Sequence, residues 1–143
     1  MTLHVGLEAE VEAEVTETMT AAAVGSGLVA GLSTPSMVGL MEAASVKVVS
    51  ASLPPGTSTV GSRLDIAHLA PTPVGMRVRA HATLREVDGR RLVFQVSVTD
   101  EVGEVGTGMH ERYLIDLARF EERMASRIRS ALPEGESACG SEV

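Results

Sequence analysis

From Leu3 to Thr16, apolar and charged side chains alternate. Val5, Leu7, Ala9, Val11, Ala13 and Val15 fall on one side, and Glu8, Glu10, Glu12 and Glu14 on the other. A period of two predicts a strand with one covered face and, here, an acidic face in water. Thr18 to Ala23 fits a short helical turn, and Val24 to Leu32 reads as a connection punctuated by glycines. The spacing then changes. Thr34-Pro35 predicts a helix start, with the threonine oxygen as cap and the proline at the first helical position. Met37, Leu40, Met41, Ala44, Val48 and Ala51 supply an apolar stripe to about Ser52, where Pro54-Pro55-Gly56 stops the helix.

After the helix the period returns to two. Val60 to Ala70 predicts a strand with Val60, Leu64, Ile66 and His68 on one face, and Pro71 to Gly75 breaks it. Met76 to Val87 alternates, with Arg77, Arg79, His81, Thr83 and Arg85 opposite the apolar set. Asp88-Gly89 is a hairpin signal, Arg91 to Asp100 a further strand, Glu101 to Glu104 a turn, and Val105 to Asp116 the last strand. Leu117 to Ala131 fits a charged amphipathic helix, and 132–143 reads as a disordered tail. The expected fold class is α+β, one domain over 1–131. Tight turns make the later strands antiparallel neighbours, and a single long helix finds cover across the apolar face of their sheet. That is a hot-dog arrangement, with a generic α+β sandwich as the alternative.

Composition narrows the function classes. A net charge of -7 argues against a nucleic-acid surface, which needs clustered Lys and Arg. With 2% aromatic residues and no Trp, stacking platforms for bases are not expected either. The single Cys139 permits no intrachain disulfide. Met1 to His4 lacks the basic-then-apolar order of a signal peptide, so a cytoplasmic location is the expectation. Thr18 to Met41 is uncharged and long enough to raise the question of a membrane span, but its Gly, Ser and Pro residues favour loop and cap.

Two side chains stand out chemically. Glu42 is the first charged residue after Glu17, among Leu40, Met41, Ala43 and Ala44. Such a carboxylate is either a partnered structural acid or a group whose pKa an apolar setting raises; buried carboxylates are usually paired, so taken alone the structural reading stands first. His68 shares a strand face with Leu64 and Ile66, where a histidine is more often a satisfied core residue than a reactive one. Asp65, three residues earlier, falls on the opposite face. The four histidines share no ligand spacing, so no metal site is expected. Arg77, Arg79 and Arg85 read as a solvated sheet face, and Gly106-Thr107-Gly108 as a bulge or a close backbone approach.

Taken together, four blocks carry a resemblance. They are Met37-Val38-Gly39-Leu40-Met41-Glu42; Gly61 with His68-Leu69-Ala70-Pro71-Thr72-Pro73-Val74-Gly75; Val87-Asp88-Gly89-Arg90-Arg91-Leu92; and Gly106-Thr107-Gly108-Met109-His110-Glu111-Arg112. In this order and at this spacing the chain resembles the fluoroacetyl-CoA thioesterase-type hot-dog family over roughly Val5 to Arg127. The resemblance implies a catalytic set at Thr34, Glu42 and His68, with Gly61 and Arg112 near the acyl pocket. It also implies a homodimer, or a dimer of dimers, whose sheets join and whose active sites lie between subunits. The substrate implied is a small acyl-CoA, hydrolysed to free acid and coenzyme A with no separate cofactor and no membrane or nucleic-acid partner. Ala43, Ala44 and the stretch Val24 to Leu32 depart from the best-known member, so its fluoroacetyl specificity is not carried over.

Spacing along the helix bears on that set. Eight residues between Thr34 and Glu42 mean roughly 12 Å of axial rise, so the two do not meet within one chain. In the expected chemistry Glu42 is nucleophile or general base for water, His68 an acid–base group or orienter, and Thr34 polarises or attacks the acyl carbon. Two rivals stay open: a non-catalytic acyl-CoA-binding module, and an acyl-CoA hydratase or dehydratase, whose G-D-x-N-P-x-H signature is absent.

Overall fold

The computed structural model describes residues 2–132. The tail expected over 132–143, and with it Cys139, lies outside the described residues except for Leu132. The elements are β1 (Glu8–Glu14), a 3-10 turn (Glu17–Met19), α1 (Ala21–Val24), α2 (Thr34–Ser50), β2 (Thr57–His68), β3 (Arg77–Asp88), β4 (Arg91–Asp100), β5 (Glu104–Asp116) and α3 (Leu117–Ala131). The strands form one antiparallel sheet in the order β1-β3-β4-β5-β2. This is the α+β hot-dog architecture, with α2 packed on one face of the sheet, the inner face.

Alternation holds along β1 and along β3 as far as Leu84. Ala9, Val11 and Ala13 sit opposite Ala82, Ala80 and Val78 on the inner face. On the outer face, Arg79 lies 3.6 Å from Glu10 and 3.5 Å from Glu12, and His81 2.6 Å from Glu8. The arginines of β3 are therefore cross-strand partners of the acidic strand, as the solvated-face reading expects. The β3–β4 hairpin closes through Gly89 and Arg90, and Gly89 has φ +61°, the left-handed conformation that a two-residue hairpin turn requires.

Two irregularities correct the expected faces. Between Leu84 and Glu86 the β3–β4 register shifts, so that Leu84 meets Phe94 while Val87 meets Leu92. Between Gly61 and Arg63 the β2–β5 register shifts as well. Strict alternation put Val60 on the face of Leu64, Ile66 and His68. The bulge instead puts Gly61 on the inner face, opposite Arg112, and leaves Val60 on the other.

Helix α2 buries Met37, Met41, Ala44, Ser45, Val48 and Val49. Ser45 and Val49 belong to this face, whereas Ala51 is the exposed C-cap and the helix ends at Ser50. The helix packs chiefly on β1 and β3, less on β4, and little on β2. Its first turn settles close to β5 because Gly106 has no side chain: a Cβ there would lie 2.5 Å from Met37 Sδ and 3.0 Å from the Ala67 carbonyl oxygen. Gly106→Ala is therefore expected to cost about 1–3 kcal/mol by overpacking, read as a lower urea midpoint with unchanged slope.

Candidate functional site

Helix α2 begins differently from the Thr34 cap expected above. Ser33 is the N-cap, its Oγ accepting from the Ser36 amide at 3.1 Å, and Thr34 is already inside the first turn. This one-residue difference matters chemically, because it releases the Thr34 hydroxyl from capping. Thr34 Oγ1 instead lies 2.7 Å from His68 Nδ1 at the end of β2. The other ring nitrogen, His68 Nε2, is buried and has no hydrogen-bond partner among the described residues. An unpaired polar atom of this kind is costly in a finished core and natural at a site awaiting a ligand. A shallow pocket of about 290 Å³ opens beside the pair, lined by Ala21, Val29, Leu32, Thr34, His68 and Leu69 among others.

Glu42 lies two turns further along α2, in separate company. Its Oε2 is 3.4 Å from Arg112 Nη1 and 3.9 Å from His110 Nε2. The apolar setting expected from its helix neighbours is not what it meets: the side chain is 41% exposed and faces a guanidinium. Gly61 makes room for it, since a Cβ there would stand 2.8 Å from Glu42 Oε2, 3.2 Å from His110 Cε1 and 3.4 Å from Arg112 Nη1. The five residues singled out from sequence thus fall into two groups, Thr34 with His68 and Glu42 with Gly61 and Arg112. No hydrogen bond or ion pair joins the groups among the described residues.

Arg112 is buried, and its orientation is fixed by neutral acceptors. Nε donates to Thr59 Oγ1 at 2.8 Å, Nη2 to the Thr59 carbonyl at 3.0 Å, and Nη1 to His110 Nε2 at 3.1 Å. Burial lowers the guanidinium pKa, with Glu42 opposing the shift. The contact with half-exposed Glu42 is worth about 1 kcal/mol or less, too little to account for burying an arginine.

His110 is the participant that residue-by-residue reading did not single out. It is 1% exposed, stands on the inner face of β5 next to Phe94, and donates from Nδ1 to the Arg63 carbonyl at 2.9 Å. Burial pushes its pKa down and the Arg112 charge adds to the shift, while the Arg63 carbonyl and Glu42 oppose it. A signal was present in the sequence. Two residues apart on one strand, His110 and Arg112 must share a face.

The family model described as fluoroacetyl-CoA-specific thioesterase matches residues 15–118. A fluoroacetyl-CoA thioesterase of Streptantibioticus cattleyicolor is 42% identical over 99 residues, 69% of this chain and 68% of that protein. A crystal structure of a point variant of the fluoroacetyl-CoA-specific thioesterase FlK superposes with a TM-score of 0.84 at 33% identity, covering 89% of this chain and 98% of that one. The same variant in complex with fluoroacetate and CoA gives 0.79 at 35% identity, covering 82% and 99%. A hot-dog-like protein from Thermanaerovibrio acidaminovorans gives 0.79 at 28% identity, covering 86% and 91%.

Proposed function

The chain belongs to the fluoroacetyl-CoA-specific thioesterase family, and on that premise we propose that it hydrolyses a small acyl-CoA thioester to the free acid and coenzyme A, with Thr34, Glu42 and His68 as its catalytic residues. The observation that carries the assignment is the pairing of opposites in the two groups. One holds a partly exposed carboxylate aimed by a buried cation; the other holds a hydroxyl-bonded imidazole whose second nitrogen lacks a partner. Glu42 either attacks the acyl carbon, forming an anhydride that water then opens to the free acid, or takes a proton from the water that attacks that carbon. The C–S bond breaks, and the proton that the departing coenzyme A thiolate needs comes from His68, held in orientation by Thr34. Gly61 leaves the space in which the acyl group and the carboxylate meet, and Arg112 faces the charge that Glu42 carries. Coenzyme A enters as part of the substrate, and the reaction as written uses no further cofactor. A cytoplasmic location is part of this reading, in keeping with a coenzyme A substrate.

The working unit of this reading is a homodimer. Within one helix the rise from Thr34 to Glu42 is roughly 12 Å, so a compact site requires Thr34 and His68 of the partner subunit to approach Glu42. Support comes from the uncovered part of the inner face: α2 leans toward β1 and β3, and Leu64 of β2 is left 40% exposed. A screen of acyl-CoA thioesters read by free-thiol release, with light scattering on the same sample, tests both parts. Thiol release from a small acyl-CoA by a dimer or a dimer of dimers is the expected outcome. A fully active monomer removes the shared site, and no release from any thioester removes the catalytic reading in favour of an acyl-CoA-binding module.

A further inference from the structure

We infer that His110 is a positioning residue: its Nε2 lone pair holds the Arg112 guanidinium facing Glu42 while contributing no charge of its own. What Arg112 is positioned toward rests on the thioesterase reading; the hydrogen-bond pattern does not.

The protonation state follows from the partners. The Arg63 carbonyl only accepts, so Nδ1 carries the ring proton at that 2.9 Å contact. Arg112 Nη1 only donates, so Nε2 offers its lone pair at 3.1 Å. One tautomer satisfies both, the neutral Nδ1–H form, and a protonated ring would set an N–H against an N–H. Among the described residues the charged groups that face the ring are Arg112 on its own strand and Glu42 on α2; β4 presents the Phe94 ring, and β2 the Arg63 carbonyl and Gly61.

Neutrality is what the position requires. A carboxylate at 110 would draw the guanidinium away from Glu42, and a cation would repel it. During turnover the Glu42 charge is lost, when its oxygen bonds the acyl carbon or when it takes the proton of water. At that moment Arg112 is a buried cation with no acid beside it, a situation that is strongly destabilising when other hydrogen bonds do not hold the group. Thr59 and His110 supply those bonds throughout, so the guanidinium is still aimed when the carboxylate charge returns. Thr59 fixes Nε and Nη2; His110 alone among them fixes Nη1, the nitrogen nearest Glu42.

His110→Leu keeps the bulk and removes the acceptor, whereas His110→Gln restores an acceptor near the Nε2 position. The expected result is a kcat lowered by up to about 100-fold in the leucine variant with KM nearly unchanged, and most of the rate recovered in the glutamine variant. In an Arg112→Ala background the leucine change should add little, because the two act as one unit. Equal thiol release per folded molecule in all three proteins overturns the inference and leaves His110 a core residue. Should the wild-type protein release no thiol at all, the thioesterase reading fails separately, and ring 15N spectra still decide this one. A neutral Nδ1–H tautomer persisting below pH 6.5 is expected; a ring protonated on Nε2 at that pH overturns it.

Discussion

Glu42→Gln should lower kcat by at least about 100-fold while the protein still folds and binds coenzyme A. The substitution keeps the shape of the side chain and removes its charge and basicity. It is a clean change at this position because the folded state asks little of Glu42: the side chain is 41% exposed, and its cationic hydrogen-bond partner among the described residues, Arg112, is already held by Thr59 and His110. The stability cost should therefore stay within about 1 kcal/mol, visible as a small shift in the urea midpoint. Were Glu42 a structural acid, the order would be reversed, with a clear loss of stability and thiol release proportional to the folded fraction. His68→Ala should lower kcat comparably, and the double variant should lose less than the product of the two, since groups serving one step are not additive. Wild-type turnover by both folded single variants would sink the catalytic assignment.

Gly61→Ala should be nearly as damaging to kcat, by up to about 100-fold, although it adds one methyl group and removes no functional group. The strand is extended at this position and Gly61 is not among the positive-φ residues, so alanine meets no backbone strain. What it meets is chemistry, with Glu42 Oε2 at 2.8 Å, His110 Cε1 at 3.2 Å and Arg112 Nη1 at 3.4 Å. Of the three, Glu42 gives way, because it is half exposed while His110 and Arg112 are buried and bonded on several sides. A displacement of about an ångström at a reacting carboxylate is enough for the expected loss. The measurement is kcat together with the unfolding midpoint. A large fall in rate with a midpoint close to wild type fits the crowding account, and full activity shows that the carboxylate does not work from this position.

How much of this was legible before the structure depends on whether the signal was local. The β4 and α3 boundaries and the β3–β4 hairpin follow from alternation, helical spacing and Asp88-Gly89, all read within a few residues. The Thr34 cap was a near miss for a physical reason: Ser33 and Thr34 are both good caps, and tertiary contact with His68 decides which hydroxyl is free. The β2 bulge was not legible, because nothing near Gly61 and Ser62 in sequence announces that the opposing residues on β5 will slip by one. That slip moves Gly61 to the inner face, so strict alternation misplaced the very part of the strand that shapes the site. Glu42 was found but its surroundings were not, since Arg112 comes from a strand 70 residues away and sequence neighbours suggested only apolar company.

The two borders of the sheet differ in a way that limits how copies can stack. At the β1 border, Lys47 reaches from α2 to donate to the Glu10 carbonyl at 2.9 Å, and Glu8, Glu10, Glu12 and Glu14 project from the strand. An occupied acceptor and a row of charged side chains discourage another strand from pairing there. The β2 border carries no comparable row of acids. Copies joined border to border would then both use β2, and a contact that consumes the same border on each side leaves no second free border for a third. Such a join terminates at two, whereas β1 meeting β2 in head-to-tail fashion would grow a filament.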